Sequence, residues 1–208
     1  EQDAKVQMTM ADRKINAVMS TSAGRLFDGV SAILGIRKAS TFEGEASMAL
    51  EFAAEAYEKK YQNAVDLQNV MDEMRKQFSL AACIDNKESE SAESNKPEQV
   101  KAVLNTGALV KAIAEARIAG EDTEKLAYFF HWILAEEIIA ACQKARKESG
   151  RGTAALSGGV FQNQLLLKMV DEGLQKEGFK VLKHSLVPPN DGGIALGQAV
   201  YAMVFLKS

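Results

Sequence analysis

The sequence predicts a mixed α/β lobe that is rich in helices. Strands and helices alternate through the last third of the chain, at residues 153–156, 161–176, 180–183 and 192–205. Hydrophobic residues make up 47% and charged residues 25% of the 208 residues, as in an ordinary globular domain. The chain is long enough to bury a core, and no internal repeat divides it. We therefore expect residues 1–208 to form a single α/β or α+β lobe.

The first part of the chain predicts helices. Residues 1–15 are polar and are expected to form a helix or a frayed arm. Ser20, Thr21 and Ser22 can cap the next helix. Its apolar residues recur at helical spacing: Leu26, Phe27, Val30, Ile33 and Leu34. A further helix is predicted for residues 43–61, where acidic residues suit the positive end of the helix dipole.

The middle of the chain predicts a hairpin followed by two helices. A strand at residues 78–84 and a partner strand at 100–104 flank the polar segment 85–99, which predicts a solvated loop within the lobe or a linker between domains. We favour the loop, because a helix follows the second strand at once. Helices are predicted for 106–118 and 124–147, and the latter carries a core-facing stripe: Ala127, Phe130, Leu134, Ile138 and Ala141.

Composition excludes several function classes. The 25 basic and 28 acidic residues leave a net charge of −3, which argues against a nucleic-acid surface. No run of about eighteen apolar residues predicts a membrane span, and no apolar leader opens the chain. Cys83 and Cys142 lie in apolar runs without metal or redox spacing, which favours buried packing roles and a reducing cytoplasm. The first residue is not methionine, as in a chain cut from something longer or in one from which a tag was removed.

Two glycine turns carry the strongest functional signal. Ser157-Gly158-Gly159 and Asn190-Asp191-Gly192-Gly193 each lie between an apolar strand and a helix. Glycine admits close approach to the backbone, and a helix N-terminus offers unpaired N–H groups to an anion. One such turn is ordinarily only a tight cap. Two in succession, with polar tips, favour one edge of a pocket for a phosphorylated or metal-bound ligand.

Individual polar residues allow two interpretations each. Asp191 could cap a helix, hold a metal, or do both. Asp28 could be a solvated helix residue or an acceptor for ligand hydroxyls, with Gly24 clearing space on the same face. His131 lies on an apolar stripe and is expected to be a satisfied core histidine, while His184 is expected at the surface. No Ser-His-Asp, Cys-His or Walker-type arrangement is present, and no general base is predicted.

Four blocks of sequence resemble the HypF family of carbamoyltransferases, which act in NiFe-hydrogenase maturation. The blocks are Ser22-Ala23-Gly24-Arg25-Leu26-Phe27-Asp28, Phe42-Glu43-Gly44-Glu45-Ala46, Ser157-Gly158-Gly159-Val160-Phe161-Gln162-Asn163 and Pro188-Pro189-Asn190-Asp191-Gly192-Gly193-Ile194-Ala195-Leu196-Gly197-Gln198-Ala199. They stand in the family's order and span residues 16–202. Ala23 departs from the family, which usually has methionine there, but this position concerns packing.

The resemblance implies the C-terminal lobe of an actin-like (ribonuclease H-like) two-lobed domain with inserted helices. It implies that nucleotide or substrate contacts come from six residues: Gly24, Asp28, Gly44, Gly158, Gly159 and Asn163. It also implies that Asp191 binds a divalent metal, Zn or Fe. The family's metal-binding histidine pair has no counterpart here, since the chain has no His-x-x-x-His. The remaining ligands are therefore expected on an N-terminal lobe, together with the family's other missing segments.

The resemblance implies a parent enzyme that uses carbamoyl phosphate and ATP. It would form carbamoyl-adenylate and carbamoylate the C-terminal cysteine of a HypE-like acceptor, the source of a cyanide ligand. This chain alone is expected to be inactive, and its exposed apolar surface would favour homodimers. Two alternatives remain. One is a tRNA threonylcarbamoyl transferase, disfavoured by Phe161-Gln162, Pro188-Pro189 and the acidic balance; the other is a non-catalytic actin-like lobe that binds a nucleotide or partner.

Overall fold

The computed structural model describes residues 2–18, 20–61, 63, 66–78, 84–85, 103–104 and 106–206. Its helices are α1 (Gln2–Asp12), α2 (Ala23–Ile33), α3 (Glu45–Tyr61), α4 (Leu67–Gln77), α5 (Thr106–Ile118), α6 (Thr123–Ser149), α7 (Gln164–Lys176) and α8 (Ile194–Phe205). Its strands are β1 (Ile84–Asp85), β2 (Val103–Leu104), β3 (Thr153–Leu156) and β4 (Lys180–Lys183). Two short 3-10 turns, Gly159–Gln162 and Asp191–Gly193, precede α7 and α8.

Helix α6 is the centre of the lobe. Its residues 126–135 are all buried, so this stretch is enclosed on every side, as expected for a helix that is apolar all round. Helices α3 and α7 make the most extensive contacts with it, and α4 and α5 also pack against it. Asp122 caps its first turn by accepting a hydrogen bond from the Lys125 N–H at 2.8 Å, and Gly150 ends it in the left-handed conformation. This helix therefore fixes the relative positions of α3 and α7.

The predicted strand-helix-strand unit is confirmed. Strand β3 pairs with β4 in parallel, in a register that places Thr153 opposite Lys180 and Leu156 opposite Lys183. Helix α7 forms the crossover between them, as parallel neighbours require. Both strands therefore end at the same edge of the sheet, where the two glycine turns begin.

The predicted hairpin is confirmed in its described part. Strands β1 and β2 pair antiparallel, with Ile84 opposite Leu104. The predicted strand over 78–84 is wrong at its start, because Phe78 ends helix α4. The polar segment 86–99 and residues 79–83, which include Cys83, lie outside the described residues. Cys142 is half-buried against the core, and burial raises the pKa of its thiol, which fits a packing role.

The sequence prediction missed helix α4 and placed the starts of α7 and α8 too early. Helix α4 was not predicted, because its sequence is polar; it begins after the Asp66 cap and buries only Met71 and Met74. The helix expected from residue 161 begins at Gln164, because Asn163 caps it and a 3-10 turn precedes it. The helix expected from residue 192 begins at Ile194 for a similar reason.

Helix α8 lies apart from the core, and none of its residues is buried. Its exposed large apolar side chains, with Leu206 that follows, are Ile194, Leu196, Val200, Tyr201, Met203, Val204 and Phe205. In the described part of the chain, α8 makes its main contacts with the 3-10 turn that precedes it. No helix among the described residues is both long and apolar enough to cross a membrane.

Candidate functional site

The two glycine turns meet at the carboxyl ends of β3 and β4. The Gly158 N–H donates a hydrogen bond of 2.9 Å to the Pro189 carbonyl, which joins the first turn to the second. Gly158 has a φ of +100°, a backbone conformation that residues other than glycine rarely adopt. The structure therefore brings together two segments that are about thirty residues apart in sequence.

A cleft of about 360 Å³ opens beside this junction. Its lining combines residues of the strand ends, the first 3-10 turn, helix α7 and the second glycine turn: Leu156, Phe161, Gln162, Gln164, Leu167, Lys183, His184 and Pro189. The carboxyl edge of a parallel sheet is where α/β folds ordinarily bind ligands. Half of the lining residues are apolar and half are polar, which suits a ligand with both apolar and polar parts.

The polar groups at the strand ends are paired with each other. Lys183 forms a short ion pair with Asp171 of α7, and the hydrogen bond from Lys183 holds the pKa of that carboxyl below its usual value. Gln175 adds a second hydrogen bond to Asp171 at 2.6 Å. Ser157 Oγ lies 2.8 Å from Nε2 of His184, which is exposed as predicted. These contacts hold the Lys183 ammonium and the His184 ring at the rim of the cleft.

Asn163 is held inside the protein at both ends of its amide. Its Oδ1 accepts a hydrogen bond of 2.8 Å from the Leu166 N–H, the usual contact of a helix cap. Its Nδ2 lies 2.9 Å from Nε2 of His131, and the residue is only 8% exposed. Asn163 was predicted to bind the nucleotide or substrate, and in this structure both amide atoms make internal contacts. That predicted role stays a proposal.

His131 is the satisfied core histidine that the sequence predicts. Nδ1 lies 2.8 Å from the Ala127 carbonyl, which can only accept, so Nδ1 carries the proton and Nε2 accepts from Asn163. Burial lowers the pKa of His131 to about 4, against the opposing effect of the Ala127 hydrogen bond. The Phe27 ring packs edge-on against the imidazole, with ring centres 5.3 Å apart. His131 is therefore a neutral part of the core directly behind the first glycine turn.

Glu51 of α3 contacts the same turn from another side. Its Oε1 accepts hydrogen bonds from the N–H groups of Gln164 at 2.6 Å and Leu165 at 3.4 Å. These N–H groups belong to the first turn of α7 and have no partner within their own helix. Burial raises the pKa of Glu51, while the two N–H groups oppose that shift. A buried carboxylate thus lies at the positive end of the α7 dipole.

Gly24, Asp28 and Gly44 lie where α2 approaches the start of α3. The Asp28 carboxylate accepts a hydrogen bond of 3.1 Å from Ser47 Oγ and pairs with Arg25 at 2.8 Å. Gly44 has a φ of +82°, so the backbone requires glycine there. A side chain at Gly44 would meet no atom within 4 Å, so the backbone angle and not crowding favours glycine there. Phe27, next to Asp28, joins this group to the first glycine turn through His131.

Asp191 lies at the tip of the second turn with an exposed side chain. The alternative that it caps a helix through its side chain is wrong: the cap is Asn190, whose Oδ1 accepts a hydrogen bond of 3.0 Å from the Gly192 N–H. Within the described residues, the Asp191 carboxylate has no hydrogen-bond or ion-pair partner, and no cluster of three metal-binding side chains occurs. A lone free carboxylate fits one metal ligand, with the others supplied from elsewhere.

Gly193→Ala is expected to disturb the second turn. An added Cβ would lie 2.9 Å from Val187 Cγ1 and 3.0 Å from the Pro188 carbonyl oxygen, and the latter is backbone that cannot rotate away. We expect a loss of about 1–3 kcal/mol in the free energy of unfolding, measured by urea unfolding, and faster hydrogen exchange at the Gly158 amide. Gly197→Ala is the matched control, because nothing lies within 4 Å of its Cβ. Equal unfolding free energies for the two variants would contradict the prediction.

Sequence reasoning missed Glu51 and Lys183. Neither stands in a recognisable motif, since Glu51 is one acidic residue among several on an alanine-rich helix. The sequence indicated Lys183 only weakly. It ends β4, and the neighbouring strand β3 ends just before the first glycine turn. Their roles depend on tertiary contacts, of Glu51 with the start of α7 and of Lys183 with Asp171.

Comparisons with known proteins identify the family of this chain. Residues 1–198 match the family model described as carbamoyltransferase, Kae1-like domain, second subdomain. The probable carbamoyltransferase HypF of Methanocaldococcus jannaschii is 27% identical over 96% of this chain and 22% of its own length. The carbamoyltransferase HypF of Synechocystis sp. is 34% identical over 88% of this chain and 19% of its own length.

Solved structures show the same fold. A crystal structure of full-length HypF in the phosphate- and nucleotide-bound form superposes with a TM-score of 0.74 and 31% identity, covering 100% of this chain and 24% of that one. HypF from T. kodakarensis superposes with a TM-score of 0.67 at 24% identity over 99% of this chain and 23% of that one, which shows the fold alone. The chain thus spans about a fifth to a quarter of the length of these relatives.

The predicted mixed α/β, actin-like lobe is confirmed by these matches. The family model covers nearly the whole chain, and it describes the second subdomain of a Kae1-like domain. The chain belongs to the HypF carbamoyltransferase family, in which it corresponds to that second subdomain.

Proposed function

We propose that this chain is part of an enzyme that transfers a carbamoyl group from carbamoyl phosphate, with ATP, to a protein thiol. The observation that carries the proposal is the junction of two glycine turns beside a cleft at the carboxyl edge of a parallel sheet. The similar HypF structure is a phosphate- and nucleotide-bound form, which supports a nucleotide as the ligand. The thiol acceptor would be the C-terminal cysteine of a HypE-like protein, carbamoylated through carbamoyl-adenylate to supply a cyanide ligand for a NiFe-hydrogenase.

The residues proposed to bind the nucleotide or substrate are Gly24, Asp28, Gly44, Gly158, Gly159 and Asn163. Gly44 and Gly158, with their positive φ angles, would let the ligand lie against the backbone. Asp28 would accept hydrogen bonds from ligand hydroxyls after giving up part of its contact with Arg25 or Ser47. Asp191 would supply one oxygen ligand to a divalent metal, Zn or Fe, which would stabilise negative charge on the transferring group.

We infer that this chain acts together with the rest of a longer protein. Helix α8 is apolar all round yet exposed, and such helices are normally buried. The matched family model is a second subdomain, so the natural occupant of this surface is the first subdomain of the same domain. That subdomain would also bring the remaining metal ligands. We expect the proposed reaction to take place in the cytoplasm, because it would use ATP and carbamoyl phosphate.

The test is an assay of the natural gene product that contains this chain. Its intact mass in a cell extract shows first whether it exceeds the 22.6 kDa of these residues. The purified product is then incubated with ATP, carbamoyl phosphate and a HypE-like acceptor, and the acceptor is examined for the mass of one added carbamoyl group. Transfer that requires both ATP and carbamoyl phosphate supports the proposal. Threonylcarbamoyl incorporation into tRNA, or tight ATP binding without transfer, would replace it with one of the alternatives.

A further inference from the structure

The first glycine turn is held in place from behind by two helices of the core. Glu51 on α3 accepts hydrogen bonds from the Gln164 and Leu165 N–H groups, at 2.6 and 3.4 Å. Glu51 is 8% exposed, so this contact lies away from water and is stronger than a surface one. Gln164 itself lines the cleft. The position of the cleft wall therefore depends on a carboxylate more than a hundred residues earlier in sequence.

His131 on α6 holds Asn163, the residue directly before Gln164. Because its Nδ1 donates to the Ala127 carbonyl, Nε2 can only accept, and it accepts from Asn163 Nδ2 at 2.9 Å. Because Nε2 is an acceptor, the amide nitrogen of Asn163 faces His131. Its Oδ1 then faces the Leu166 N–H at 2.8 Å. The imidazole cannot turn away, since it is fully buried and packed against Phe27 and Phe130.

These contacts form one network around residues 163–166. Helix α3 supplies a carboxylate, helix α6 supplies an imidazole, and each bonds a different group at the start of α7. The 3-10 turn immediately before this point presents Phe161 and Gln162 to the cleft. No polar atom of His131 remains for a ligand, because both ring nitrogens are used.

We propose that Glu51 and His131 are positioning residues that set the geometry of the ligand-binding turn at residues 157–164. This role rests on the proposed function, since the turn is taken to contact the nucleotide. Neither residue touches the ligand; each acts through Asn163 or the first turn of α7. Loss of either contact lets the turn shift by a fraction of an ångström, which weakens ligand binding.

The experiment uses the natural gene product that contains this chain. At each position it compares a substitution that removes the hydrogen-bond acceptor with one that keeps it. Glu51→Leu removes the acceptor, while Glu51→Gln keeps an oxygen for the two N–H groups. His131→Leu removes both contacts, while His131→Gln keeps an acceptor for Asn163. Ile113→Val is the control, because it trims a fully buried core residue of α5 away from the turn.

Two readouts decide the outcome. The first is the KM for ATP in carbamoyl transfer, expected to rise about tenfold in the two leucine variants and to stay near wild type in the glutamine variants and Ile113→Val. The second is hydrogen exchange in the ligand-free protein, expected to accelerate at the amides of residues 163–166 in the leucine variants alone. Unchanged exchange at these amides would overturn the positioning role even in a protein that transfers no carbamoyl group. Faster exchange with an unchanged KM for ATP would show that both residues have only a structural role. Failure of the wild-type protein to use ATP would count against the proposed function only.

Discussion

Asp191→Ala is expected to lower carbamoyl transfer by the natural gene product by at least about 100-fold. The carboxylate is exposed and has no partner within the described residues, so its removal costs the fold little. It would, however, remove a metal ligand from the site where negative charge develops. The measurements are the rate of acceptor carbamoylation and the metal content of the purified protein, and both are expected to fall together.

The matched control for this variant is Asp12→Ala, which removes an exposed carboxylate at the end of α1. It is expected to keep wild-type transfer and metal content. Asp28→Ala is expected to abolish transfer as well but to leave the metal bound, because Asp28 lies at the α2–α3 contact. Transfer at the wild-type rate by Asp191→Ala would remove this residue from the proposed metal site.

The chain is expected to lose stability steeply in acid because of His131. Burial lowers its pKa from 6.5 to about 4, so below pH 6.5 the unfolded chain binds a proton that the folded chain does not. Stability is therefore complete above pH 6.5 and falls as the pH approaches 4. The loss from this one group is about 2 kcal/mol at pH 5 and about 3 kcal/mol near pH 4.

Urea unfolding at pH 7.5 and pH 5 measures this effect. Trp132, the only tryptophan of the chain, is buried next to His131 and reports unfolding of α6 by its fluorescence. His131→Gln is the control, because glutamine cannot take up the proton. Two carboxyls with raised pKa values, the buried Glu51 and the half-buried Glu136, shift stability in the opposite direction in both proteins. The difference between the two proteins therefore isolates His131. An identical pH dependence in both would show that His131 is protonated as readily in the folded as in the unfolded chain.

Periodicity predicted most of the elements that have strong local signals. Helix α6 and the β3-α7-β4 unit were expected within a few residues of their observed bounds, since their apolar patterns are long and regular. Helix α4 was missed because its sequence is largely polar, and only contact with α6 gives Met71 and Met74 a core to enter. The start of α7 was predicted three residues too early, at 161 instead of Gln164. The reason is that capping by Asn163, and not apolar spacing, decides where that helix begins.

The candidate site was predictable in its residue types but less so in its contacts. The glycines at 44 and 158 were singled out from the sequence, and both adopt positive φ. Asn163 was expected to face a ligand, yet its amide is shared between a helix cap and His131. The cap of the second turn is Asn190 and not Asp191, because the side chain one residue earlier reaches the Gly192 N–H.

The family, the alternation of strands and helices, and the two glycine turns could all be inferred from the order of the residues alone. These properties depend on residues close together in the chain, whose spacing and backbone preferences can be recognised in the sequence. It took the folded chain to show that Gly158 bonds Pro189, that Glu51 caps α7 and that His131 orients Asn163. These contacts join residues between 31 and 113 positions apart. Nothing in the local sequence specifies such partners, because they are selected by the packing of α3 and α7 against α6 and by the pairing of β3 with β4.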